Sequence, residues 1–271
     1  MTEFLHRIIA PQIDCENSES VEKFLRNFCD LYRIELFKDG LDLILTKLKE
    51  KQLRFEIKFI NGWDTNLGCF LTEQRNYYDE SRGQFLRVNL PKIILRNLSH
   101  NLMAHEMAHA LEFESGINFG EDFRKAIGFD MKNREPQSLV LKGEIKRLMI
   151  DALKLYKPSQ FLSELFARYF ELLSISRNVN ASGSFTTSDV MEFFANSTNF
   201  LEKIFNPKIR AKIDPEIARL TSEIVKKIRL PTFQEKVDPL QKKSNSWAGN
   251  IRSNAIWSKG LEKSKLEEEK K

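Results

Sequence analysis

The sequence predicts an α+β fold, helix-rich, with a small mixed sheet and a polar C-terminal tail. Three observations carry this. From Leu98 onward, apolar residues recur at helical spacing almost without relief. Between residues 53 and 90, short stretches alternate apolar with polar residues as strands do. After Pro231 the chain turns polar, charged and poor in aliphatic residues, a composition that cannot bury enough apolar surface to order itself. At 271 residues and 41% hydrophobic content the chain can bury one sizeable core. The expected division is an N-terminal helical segment over 1–52, the main domain over 53–230 and a mostly disordered tail over 231–271.

The elements follow in order. "SESVEKFLRNFCDLYRI" (18–34) opens with cap-type serines and continues at helical spacing, and "GLDLILTKLKEKQ" (40–52) does the same after an Asp39-Gly40 turn. "LRFEIKFI" (53–60), "CFLTE" (69–73) and "QFLRVNL" (84–90) read as strands, the last two separated by a polar loop. Helices are expected over 98–113, 121–128, 137–156, 159–176, 187–204 and 213–228. No internal repeat is present.

Composition narrows the function classes. The 43 basic residues are interspersed with 38 acidic ones, giving a net charge of +5 with no long basic block before the tail. That describes a mildly basic surface and not a specific nucleic-acid site. Cys15, Cys29 and Cys69 are odd in number and scattered, so they read as reduced thiols instead of a disulfide framework or a thiolate cluster. Glu3, His6 and Arg7 interrupt the apolar stretch a secretory peptide needs, and no segment reaches the apolar length that spans a bilayer. The expectation is a protein without a membrane span, cytoplasmic or secreted by a non-classical route. Oligomeric state leaves no signature.

The chemistry concentrates in "LMAHEMAHALEF" (102–113). On a helix, His105 and His109 lie one turn apart on one face and can aim ring nitrogens at one metal ion, with Glu106 beside them. In this H-E-x-x-H arrangement the glutamate takes a proton from the attacking water and returns it to the leaving amine. The helix is apolar on nearly every side, so two histidines and a glutamate inside it need a reason; hydrogen-bonded core residues are the plain one. Zinc needs a third protein ligand. Glu112 lies about 10 Å along the helix axis from His105, too far for the three to converge on one ion. Residue 115 is Ser115, which excludes a third histidine of the metzincin kind. Glu164, in the otherwise apolar "SQFLSELFARYFELL" (159–173), is the preferred ligand; Glu114, Glu121 and Asp122 are the fallbacks. Against it, Glu164, Arg168 and Glu171 could form an exposed stripe with an i,i+4 ion pair. His100 falls off the metal-facing stripe and suits a helix start, and His6 is remote. Trp247 and Trp257 in the tail are equally consistent with a partner motif and with two stray aromatics.

These residues resemble the gluzincin branch of zinc metallopeptidases, whose pattern is HExxH on one helix and a glutamate on a following helix, often as N/S-E-x-x-A-x-x-F. "SELFARYF" matches with Ser163, Glu164, Ala167 and Phe170. The stretch is also similar to zincin-like domains of phage and plasmid polyvalent proteins, where an E-x-FAR-x-FE segment follows the HExxH helix. The long interval from His109 to Glu164 is nearer to toxin-type gluzincins than to thermolysin-type enzymes. The resemblance covers residues 53–175. It implies a zincin-like metallopeptidase domain over 53–230 that holds Zn2+ through His105, His109 and Glu164. It further implies Glu106 as general base in peptide-bond hydrolysis of a peptide or protein substrate. An edge strand such as 69–73 would offer an extended substrate unpaired backbone groups for strand addition. Two departures stand out. Where such enzymes place an acidic residue four positions after the glutamate ligand, this chain has Arg168, and the downstream histidine that stabilises the transition state is missing. That role would fall to Tyr156, or to Tyr169. The same departures leave open a catalytically inactive zincin-like effector that binds metal or protein.

Overall fold

A computed structural model describes residues 2–15, 17–58, 68–115, 119–130, 135–136, 145, 156–176 and 186–229. Helix and sheet are mixed, as the patterning predicts. Strands β1 (Ile13–Asp14), β2 (Arg54–Ile57), β3 (Gly68–Asp79) and β4 (Gln84–Leu95) form one sheet in the order β1-β2-β4-β3. β1, β2 and β4 run parallel and β3 is antiparallel to β4 at the edge, so the sheet is mixed. The stretches 69–73 and 84–90 lie inside strands of twelve residues each, longer than their alternation suggested. Gly83, with φ of 62°, and Asp79, whose carboxylate accepts from the Ser81 amide, close the connecting turn.

β2 pairs only with Lys92–Leu95 of β4, so the outer halves of β3 and β4 form a two-stranded ribbon. Pro91 stands just outside the part of β4 that has β2 as a neighbour, where its missing amide costs no ladder bond on that side. Near the ribbon's tip Tyr78 and Phe85 pack ring to ring at 5.0 Å and remain exposed.

The helices are α1 (Thr2–Ile9), α2 (Ser18–Leu31), α3 (Lys38–Lys49), α4 (His100–Ser115), α5 (Phe119–Ala126) and α6 (Pro158–Ser176). They continue with α7 (Thr187–Phe193), α8 (Ser197–Phe200), α9 (Asn206–Arg210) and α10 (Pro215–Arg229). A short antiparallel bridge joins β5 (Phe129–Asp130) to β6 (Glu135–Pro136). α1 was not expected, because eight residues with Glu3, His6 and Arg7 offer too little periodicity; Leu5 and Ile9 nevertheless bury completely. Asn17, not the serines after it, caps α2 by accepting from the Glu19 amide at 2.8 Å.

Asp39-Gly40 is not a turn but lies inside α3. The glycine serves a close approach instead: a Cβ there would stand 2.8 Å from Leu111 Cδ1 of α4. The single helix expected over 187–204 breaks at Asn196, whose φ is 67°, and resumes through a π-helical turn at Leu201–Phe205. Pro207, which cannot donate an amide to the preceding turn, accounts for that widening. The helix expected over 137–156, the tail 231–271 and both tail tryptophans lie outside the described residues, save Ile145 and Tyr156.

One apolar cluster runs through the molecule. Phe24 of α2 meets Phe55 of β2 edge-on at 4.7 Å, and Phe37 stacks on Phe170 of α6 at 4.5 Å. Asn27 of α2 donates to the Leu98 carbonyl at the entrance to α4. The N-terminal segment thus supplies both a strand to the sheet and a face of the core. α4 threads this core between the sheet, α2, α3 and α6, with Met103, Ala104, Met107, Ala108, Ala110 and Leu111 buried. Among the described residues no helix is long and apolar enough to cross a membrane.

Candidate metal centre

α4 and α6 pack side by side, and their facing residues build one polar cluster inside the apolar core. The four-residue spacing on α4 brings His105 Nε2 and His109 Nε2 to 3.3 Å. From α6, Glu164 Oε2 lies 3.3 Å from His105 Nε2, and Oε1 lies 3.5 Å from His109 Nε2. Glu164 therefore turns toward both imidazoles and not toward Arg168. The three residues form the group among those described that could hold a metal ion, with donor atoms within 4.8 Å of one another.

The spacing fits an ion. Four-coordinate bonds of about 2.0–2.1 Å put neighbouring donors about 3.3–3.4 Å apart in a tetrahedron. The two imidazole nitrogens stand at that distance, 3.3 Å, while different Glu164 oxygens stand 3.3 Å from His105 Nε2 and 3.5 Å from His109 Nε2; with one atom taken from each residue, all three lie within 4.8 Å. Glu164 Oε2, although buried close to His105, lacks a hydrogen bond of acceptable alignment, a state that a shared cation would relieve.

Each histidine is braced from behind. His105 Nδ1 is 3.1 Å from Glu171 Oε2, and Glu171 is in turn held by Arg168 Nη1 at 2.6 Å and Asn101 Nδ2 at 3.4 Å. His109 Nδ1 is 2.9 Å from Ser163 Oγ, which donates to Glu112 Oε2. Burial alone would push the His105 pKa down, but Glu164 and Glu171 outweigh it and raise it to about 10. Against the opposing effect of burial, the two imidazoles hold the Glu164 carboxyl well below the ordinary carboxylate range.

Glu106 is 4% exposed and its Oε2 has no hydrogen-bond partner. Burial raises its pKa, opposed by His105 and His109. The first residue of β3 abuts it: a Cβ on Gly68 would come 2.8 Å from Glu106 Oε1. Phe70, two residues on, stacks over the His109 ring at a centroid distance of 6.4 Å. The edge strand expected at 69–73 thus lies against the histidine helix.

Tyr156 is half-buried and its oxygen accepts from Arg168 Nη2 at 3.1 Å; burial lifts its pKa to about 12, with Arg168 opposing. Tyr169 is wholly buried among Phe123, Phe170 and Phe194, where no substrate can reach it. His100 pairs with Asp30 at 3.2 Å at the start of α4, and His6 faces Glu22 at 3.7 Å. Glu114 faces Lys47 at 3.8 Å, Glu121 pairs with Arg124 at 2.6 Å, and Asp122 sits on α5 outside the donor group.

Glu171 was missed by sequence reasoning, which allowed it an exposed stripe; it is 5% exposed. Its signal was present, seven residues after Glu164 on the same helical face. Comparison with protein-family models, with curated proteins and with solved structures finds no match to this chain.

Proposed function

We propose that this chain is a zinc-dependent metallopeptidase with a zincin-like domain, hydrolysing peptide bonds in a polypeptide. One observation carries the reading: two histidines and a carboxylate from separate helices meet at ion-binding separations, with a buried, unpartnered glutamate adjacent to them. A zinc ion held there supplies a Lewis acid that polarises a carbonyl and makes water more acidic near neutral pH.

The rest falls to the chain. His105, His109 and Glu164 bind the ion, and Glu171 and Ser163 orient the two rings. Glu106 accepts a proton from water and delivers it to the leaving nitrogen; its raised pKa suits a group that must both take and give. Tyr156 already accepts from Arg168, so its own hydrogen stays available for the oxyanion of the transition state. β3, paired with β4 on one side, supports an extended substrate, because a strand edge offers unpaired backbone groups.

Metal analysis and a cleavage assay test this together. Purified wild type should carry about one zinc per chain, from the one three-donor group among the described residues. His105→Ala and Glu164→Ala should lose most of it. Glu106→Gln should keep both zinc and fold while losing hydrolysis of denatured casein, since the amide fills the same space without accepting the proton. Equal zinc in wild type and His105→Ala ends the metal reading. Cleavage by Glu106→Gln ends the mechanism, and zinc-loaded wild type without cleavage leaves a metal-binding protein that does not turn over.

A further inference from the structure

Glu112 is too far along α4 to join His105 and His109 on one ion, yet its carboxylate is tied to the centre through Ser163. We infer that Glu112 is a positioning residue: acting through the Ser163 hydroxyl, it fixes His109 as the Nδ1–H tautomer, so that the lone pair of Nε2 faces the metal position. The inference rests on the metal reading above and deepens it.

The argument is one of hydrogen-bond direction. His109 Nε2 faces His105 and Glu164, so as a ligand it must present a lone pair there and carry its hydrogen on Nδ1. Nδ1 meets Ser163 Oγ at 2.9 Å. A hydroxyl can donate or accept, and so cannot by itself choose the tautomer. Were Ser163 to donate to Nδ1, the hydrogen of a neutral ring would move to Nε2, the nitrogen that must bind. A carboxylate can only accept, so Glu112 claims the single Ser163 hydrogen and leaves the oxygen to accept from Nδ1–H.

His105 needs no such relay, because its Nδ1 meets a carboxylate directly in Glu171. The difference follows from where the acids sit. Glu171 comes from the neighbouring helix and reaches His105 unaided, whereas Glu112 is on α4 itself, three residues after His109, and acts through a residue of α6. The same relay ties α4 to α6 at the residue that precedes Glu164.

The test uses the full chain with 15N-labelled histidine, comparing wild type, Glu112→Gln, Ser163→Ala and the double variant. Glutamine keeps the size but can donate as well as accept, so it no longer sets the direction. Imidazole nitrogen shifts should show His109 as one Nδ1–H tautomer in wild type and as a mixture in each variant. Competition titration with a chromophoric chelator should show zinc binding weakened by about 10–100-fold in Glu112→Gln and in Ser163→Ala, the range for lost outer-sphere partners. The double variant should bind no worse than Ser163→Ala, because Glu112 acts through that hydroxyl. An unchanged tautomer in Glu112→Gln, or losses that add in the double variant, overturns the inference. If wild type binds no zinc, the proposed function falls, and the tautomer comparison in metal-free protein still decides this point.

Discussion

At the scale of single residues, the cluster between α4 and α6 is held by paired buried charges. Without metal, His105 lies between Glu164 and Glu171 with its pKa raised from 6.5 to about 10. A group whose folded-state value exceeds its unfolded one stabilises the fold below the unfolded value and loses that contribution as pH rises through the folded one. The metal-free chain should therefore lose stability between pH 6.5 and 10. Denaturant midpoints measured across that window should fall for wild type and fall less for His105→Gln; parallel curves would refute the coupling. Saturating zinc should blunt the same alkaline loss, since ion and proton compete for one nitrogen. Much of this was legible in sequence. His105, Glu106 and His109 announce themselves by spacing, and Glu164 by its place in an apolar helix. Arg168 looked like a departure from the gluzincin pattern; it pins the buried Glu171, which lies against His105 and follows Glu164 by seven positions. A helical stripe gives the spacing of side chains without saying which side is covered. The Ser163–Glu112 contact, between residues 51 apart in sequence, leaves no local trace at all.

At the scale of elements, two glycines set how closely neighbours approach α4. Gly68 begins β3 against Glu106, and Gly40 lets α3 reach Leu111. Gly68→Ala should push Glu106 away from its position, since a Cβ would meet Oε1 at 2.8 Å and Cγ at 3.0 Å. Displacements of the order of an ångström cost about 100-fold in rate. The expected outcome is a comparable drop in kcat with zinc content and melting temperature near wild type. Full activity in that variant would remove Glu106 from the chemistry or β3 from its side. Alternation revealed β3 only over its inner portion and β4 only over its outer one. In the outer part of β3 both faces of "TEQRN" are polar, so the period that marks a half-buried strand fades while pairing continues. The helix over 187–204 was misjudged for a different reason: Asn196 in a left-handed conformation and Pro207 override an apolar spacing that alone looks continuous.

At the scale of the whole molecule, residues 1–52 stand out in sequence by their helical spacing, which cannot register that Phe24 meets Phe55 or that Ile13 pairs with Phe55. Long-range packing of this kind is decided in three dimensions and leaves no periodicity in the chain. It matters for the centre because α2 and α3 press on the back of α4 and keep its histidines in the interior. The donors themselves come from α4 and α6, with His109 and Glu164 separated by 55 positions (164 − 109). An ion gripped by both would act as a reversible cross-link, closing a chain loop as a disulfide does but removable by a chelator. Its contribution grows with free metal, reaching about 2.7 kcal/mol at a hundredfold excess over Kd. Hydrogen exchange should then report slower opening of α6 in zinc than in chelator, while amides of α2 and α3 change less. Equal slowing everywhere would mean that the clasp spans the entire fold, and no change in α6 would mean that nothing is clasped. A cell short of zinc would on this view lose more than turnover: the helix carrying Glu164 would spend more of its time detached, within reach of proteases.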